Sequence, residues 1–168
     1  QGGFLPRLTD TGRRHPVTAG LGGSGNGTPS WGRWFRQIDA AAKSGQVLMR
    51  GMNDKPLLLL ERQGKGRVAE LLSDQIWLWA RGFEGGGPQA ELLRRLAHWL
   101  MKEPDLDEES LKAEIRGGKL AVERRSLQSD PAEVTVSLPS GETRTLVLKD
   151  GANGVARAQM AAPSPGMY

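Results

Sequence analysis

Four consecutive leucines, Leu57 to Leu60, constrain this chain more than any other stretch. In a strand, successive side chains point to opposite faces, so this run puts leucine on both sides of a sheet. Such a strand needs cover above and below. The segment "GRVAELLS" reads as a returning strand, joined through the tight turn Gln63-Gly64-Lys65-Gly66. "QVLMRG" (46–51) reads as a further strand ahead of the pair. No unbroken apolar stretch approaches the about 20 residues that a membrane-spanning helix needs.

The cover is readable as well. "PQAELLRRLAHWLMKE" (88–103) has Pro88 for a first helical position, Gly87 as a cap and Pro104 as a stop. At helical spacing Leu92, Leu93, Leu96, Ala97, Trp99, Leu100 and Met101 fill one broad arc. Glu91, Arg94, Arg95, His98 and Lys102 fill the other, which makes His98 a surface residue. The pattern predicts a deeply packed helix on the preceding sheet. A shorter helix is expected over 31–45, from Trp34, Phe35, Ile38, Ala41 and Ala42, with Gly45 as its C-terminal cap.

Residues 1–30 show little periodicity, and "GLGGSGNGTPS" (20–30) reads as a flexible loop. Gly20, Gly22 and Gly25 match the G-x-G-x-x-G spacing of dinucleotide sites. That fingerprint needs a strand before it and a helix after it, and neither is expected here.

Beyond residue 104 the texture changes. Short β-like runs follow at 111–116, 119–125, 132–138, 143–149 and 155–161. Gly117-Gly118, Pro139-Ser140-Gly141 and Asp150-Gly151 separate several of them with turn formers. Val134, Val136 and Leu138, with Leu146 and Leu148, imply one buried face, as in a β-sandwich. The expected architecture is a partial α/β unit over 1–104 followed by a small all-β sandwich over 105–168. Both ends read as truncations. The sandwich wants another strand, and a helix on a mixed sheet usually follows more β-α units than 1–87 supply.

Composition removes several chemistries. The chain has no cysteine, which excludes disulfides, zinc–thiolate sites and a cysteine nucleophile within it. The net charge of +4 is spread out, with Arg13-Arg14, Arg94-Arg95 and Arg124-Arg125 far apart. Nucleic-acid binding needs clustered cations, so no nucleic-acid partner is expected. Asp105, Asp107, Glu108 and Glu109 lack the glycine and ligand spacing of a calcium loop and read as a solvated hinge. No metal site and no cofactor is expected.

One stretch, "SDQIWLWARGF" (73–83), combines polar and aromatic residues. Ser73-Asp74-Gln75 ends a strand at the edge where open α/β sheets place ligands. Asp74 then suits a base or cation ligand and Gln75 a polar anchor. Equally, an Asp after a strand caps the next turn. Trp77 and Trp79 alternate with Ile76 and Leu78, so both tryptophans fall on one side of an extended segment. They read as packing between sheet and helix, with Trp99, or as a docking surface. His15, in a loop beside Arg13 and Arg14, is a third ligand candidate.

The succession "RHPVTAGL", "PLLLLERQGKGRVAELLSDQIWLWAR" and "ELLRRLAHWLMKEPDL" resembles the C-terminal part of the glutamine amidotransferase-like domain of large bacterial membrane-anchored proteins. The likeness covers residues 13–104. "LKAEIRGGKLAVERRSL" through "VTVSLPSGETRTLVL" resembles the Ig-like segment that follows in those proteins. The resemblance implies a flavodoxin-like sheet, of which this chain holds the last part. It also implies protein or domain partners within a larger membrane-associated chain, on the envelope or periplasmic side. Class I amidotransferases use a cysteine with a histidine and a glutamate. No member of that triad maps onto this sequence, so the expected role is structural or interactive rather than catalytic.

Overall fold

A computed structural model describes residues 2–25, 27–164 and 166–168. The chain divides into two compact units, Gln1–Asp107 and Glu108–Tyr168. No helix among the described residues is long and apolar enough to cross a membrane.

The first unit runs β1 (Arg7–Leu8), α1 (Asp10–Arg14), β2 (Gln46–Arg50), β3 (Pro56–Gln63), β4 (Gly66–Leu71), α2 (Trp77–Ala80) and α3 (Gln89–Leu100). Its sheet has the order β1-β2-β3-β4, and every neighbouring pair is antiparallel. This corrects the flavodoxin-like expectation, because that sheet is parallel. The cause is connection length. Parallel neighbours need a crossover of a dozen or more residues. Here Gly64 and Lys65 alone join β3 to β4, and residues 51–55 join β2 to β3.

The leucine run behaves as its pattern requires, with Leu57 to Leu60 all buried. Leu58 and Leu60 pair with Leu71 and Ala69, on the face that also carries Arg67. Helix α3 covers that face. Arg67 donates to the Trp99 carbonyl at 2.6 Å, and its guanidinium lies 5.0 Å from the Trp99 ring centre. The buried stripe of α3 is Leu92, Leu96 and Trp99. Leu93, Leu100 and Met101 are exposed, so the packed arc is narrower than its sequence suggests. One contact residue per turn is enough to seat a helix on a sheet.

Helix α1 docks on β2 through Gly12. A Cβ there would stand 2.0 Å from the Leu48 carbonyl oxygen, so only glycine permits the approach. Thr9 caps α1 by accepting from the Gly12 N–H, and donates to the Val47 carbonyl at 2.7 Å.

Two expectations fail in this unit. Residues 31–45 are not helical. Trp34 forms a β-bridge with Phe4, and the Ile38 N–H donates to the Leu72 carbonyl. These long-range bonds take the backbone groups a helix would use. The glycine-rich loop is also held rather than free. The Trp31 indole donates to Gly22 at 2.7 Å, Arg13 donates to the Gly25 and Gly27 carbonyls, and Leu21 is buried. No helix opens after Gly25 among the described residues.

The second unit is all strand apart from one short turn of helix: β5 (Ser110–Arg116), β6 (Lys119–Arg125), β7 (Ala132–Ser137), β8 (Thr143–Asp150) and β9 (Val155–Ala161), in the order β5-β6-β9-β8-β7. Strand β8 meets β9 only at Lys149–Arg157 and Asp150–Ala156, next to their turn, and then pairs with β7. Leu120, Val122 and Ala156 pack with Ala132, Val136 and Leu148 in one core. This two-layer, β-rich packing is compatible with a sandwich.

The acidic run spans the boundary between the units, and it is solvated only in part: Asp105 and Glu109 are exposed. Asp107 is ion-paired to the nearly buried Arg67 and, at 3.1 Å, to Arg62. Glu108 is buried. Glu109 accepts from the Ser126 hydroxyl at 2.8 Å and from the Leu127 N–H at 3.1 Å.

Candidate functional site

The three polar candidates lie in different settings. The Gln75 amide oxygen accepts from the backbone N–H groups of Phe35 and Arg36, at 2.5 and 3.0 Å. The Ser73 hydroxyl donates to the Arg36 carbonyl at 2.7 Å and accepts from the Gln75 N–H at 3.2 Å. Asp74 forms an exposed ion pair with Arg36. Together these residues fasten the extended segment around Arg36 to the end of β4.

His15 is fully buried elsewhere, edge-on to Trp99 with ring centres 6.0 Å apart. Its Nδ1 accepts from the Val17 N–H at 3.2 Å, so that nitrogen carries no proton. The backbone bonds from Thr18 and Ala19 to the His15 carbonyl complete a tight turn. The clefts beside residues 40–44, beside Gly2–Leu5 and beside Thr9–Arg13 include none of Asp74, Gln75 or His15 in their walls. No group of three metal-ligating side chains occurs among the described residues.

The aromatic candidates separate. Trp79 is buried and stacks against Trp31 and Trp34, with ring centres 5.1 and 4.7 Å apart. Its indole donates to the Gly32 carbonyl at 2.8 Å. Gly87 makes room for it, since a Cβ there would stand 2.4 Å from the indole ring. Trp99 is buried under α3. Trp77 is 53 % exposed and does not close the gap between sheet and helix. The reason is local geometry. Residues 77–80 form a helical turn, and positions two apart on a helix point to nearly opposite sides.

Sequence reasoning missed a pair of exposed rings. Phe35 and Phe83 are both substantially exposed and meet edge-to-face at 5.7 Å. Phe35 is held next to Gln75, and Phe83 follows α2 within three residues. Flanking them, Arg33 grips Glu84 with its Nε and Nη2, and the Arg33 backbone N–H adds a bond to the same carboxylate. The Arg33 hydrogen bond holds the Glu84 carboxyl below its ordinary pKa. The result is an exposed ring pair, Phe35 and Phe83, whose chain neighbours form the Arg33–Glu84 and Arg36–Asp74 ion pairs. The helical reading of 31–45 helped to hide it, by assigning Phe35 to a core face.

No family model matches this chain, and no curated protein matches it.

Proposed function

We propose that this chain is a non-catalytic interaction module of a larger membrane-anchored bacterial protein, working on the envelope side. One observation carries the reading. Ser73 and Gln75 are engaged in holding the backbone and Asp74 in an ion pair with Arg36, while Phe35 and Phe83 meet in the open and Trp77 is exposed as well. Exposed aromatics beside ion pairs suit a protein surface, where rigid rings bury large area at low entropic cost. The setting, and the amidotransferase-like and Ig-like assignments of the two units, rest on the resemblance at residues 13–104 and beyond.

A photo-cross-linking amino acid placed at position 77, with one at exposed Lys149 as a control, tests this in the parent protein. Position 77 is expected to capture one defined protein or domain, and Phe83→Ala is expected to reduce the yield. Equal labelling from both positions overturns the reading. So does an Asp74-dependent hydrolysis, which would move the function to the sheet edge occupied by Asp74 and Gln75.

A further inference from the structure

We infer that strand β5 is a self-complementary edge through which two copies of this chain associate. The surface lies in the second unit and goes beyond the exposed aromatic residues proposed above. β5 is an end strand of its sheet, with β6 on one side and no strand on the other among the described residues. Its register with β6 pairs Ile115 with Leu120 and Ala113 with Val122. Directly opposed residues share a face, so Leu111, Ala113 and Ile115 lie on the side that holds the core. Yet Leu111 is 59 % and Ile115 45 % exposed. The apolar face of the sheet therefore runs past its own core to an open edge.

The backbone of that edge is oriented for pairing. Gly117 and Gly118 both have positive φ, at 56° and 71°, and form the two-residue loop of a primed turn. Such a loop makes Arg116–Lys119 the closing hydrogen-bonded pair. Alternation along the ladder then turns the N–H and C=O groups of Leu111, Ala113 and Ile115 outward.

The occupant is decided by charge. A two-fold axis through Ala113, the midpoint of Ser110–Arg116, overlaps the whole strand with its copy. It sets Leu111 opposite Ile115 and Lys112 opposite Glu114, each twice. Moving the axis to Lys112 opposes lysine to lysine. Moving it to Glu114 opposes glutamate to glutamate and Lys112 to Arg116. Charges on an edge strand ordinarily discourage pairing. Here they discourage the neighbouring registers and suit this one. Glu114 already bonds Arg116 of its own strand at 2.7 Å, which places it between two cations in the pair. A closed two-fold contact of this kind joins the two sheets into one.

Sedimentation equilibrium of the whole 168-residue chain tests the proposal. The wild type is expected to dimerise. Lys112→Glu and Glu114→Lys are each expected to weaken the dimer about tenfold or more, since each places like charges opposite twice. The double variant K112E/E114K restores the opposite pairing and is expected to restore the dimer. Both side chains are on the outer face of an exposed strand, and circular dichroism of the singles checks that the fold is kept. Amide exchange at Leu111, Ala113 and Ile115 is expected to slow in the dimer alone. A wild type that stays monomeric at millimolar concentration overturns the proposal. A dimer that ignores both single reversals overturns it too, and a dimer lost only on Trp77→Ala would move the contact to the first unit.

Discussion

The two units fill their interiors with different materials. Gln1–Asp107 buries Trp31, Trp34, Trp79 and Trp99 and contains every tryptophan of the chain. Glu108–Tyr168 contains none, and its core is leucine, valine and alanine, drawn from β6, β7, β8 and β9 and not from β5. The backbone follows the same division. In the second unit ladders satisfy most backbone groups. In the first, long irregular segments are fixed by single side chains such as Gln75, Ser73, Arg13 and Arg67. A unit built on regular ladders loses little with any one polar side chain, whereas a unit built on such fasteners loses a segment with each.

The sharpest test of that contrast is Trp79→Ala. It removes the ring that Trp31 and Trp34 both touch and the bond to Gly32. The expected loss is about 3–5 kcal/mol, measured by denaturant unfolding followed through tryptophan fluorescence. In the second unit Val122→Ala removes a small core side chain, and about 1–2 kcal/mol is expected, read by circular dichroism because that unit holds no tryptophan. A Val122→Ala loss as large as that of Trp79→Ala would break the comparison.

Gln75→Ala comes next. It leaves the N–H groups of Phe35 and Arg36 to solvent, and a loss of about 1–2 kcal/mol is expected. Gln75→Glu, which keeps an acceptor at that place, is expected to recover most of it. If both variants melt like the wild type, Gln75 is free for a ligand after all.

Trp77→Ala is expected to cost under about 1 kcal/mol, because half of this ring already faces water. The same thermal melts that register Trp79→Ala should barely register this change. A loss comparable to Trp79 would return Trp77 to the core and take it out of the exposed aromatic residues.

These residues also show what the sequence could tell. Local pattern sufficed for the β3–β4 hairpin, α3 and the five strands of the second unit, because each depends on neighbours close in the chain. It did not suffice for residues 31–45. Trp34, Phe35 and Ile38 have helical spacing, but Phe4, Leu72 and Gln75 claim their backbone from far away. It mistook Trp77 and Trp79 for one side of an extended segment, when a helical turn sets them apart. The acidic run looked solvated because nothing nearby in sequence announces Arg67, which reaches Asp107 from β4. The aromatic surface was illegible for the same reason, since Phe35 and Phe83 meet only after the chain has folded.

The smallest expected effect concerns pH, and it separates fasteners from packing. Glu91 on α3 accepts hydrogen bonds from Arg94 and Arg95, which lower its pKa from 4.5 to about 2. Arg95 in turn donates to the Ala19 carbonyl at 2.6 Å, so the carboxylate steadies a link between α3 and the turn after His15. A pKa lower in the folded than in the unfolded state means that the unfolded chain takes up the proton first. The contribution is therefore complete above about pH 4.5 and fades as the pH falls towards 2. Both arginines are in reach of solvent, so about 0.5 kcal/mol is expected rather than the full value of the shift. Unfolding free energies of the wild type and Glu91→Gln, measured from pH 6 to pH 2, should converge at the acid end. Curves that stay parallel would mean that packing, not this carboxylate, seats α3 against the turn.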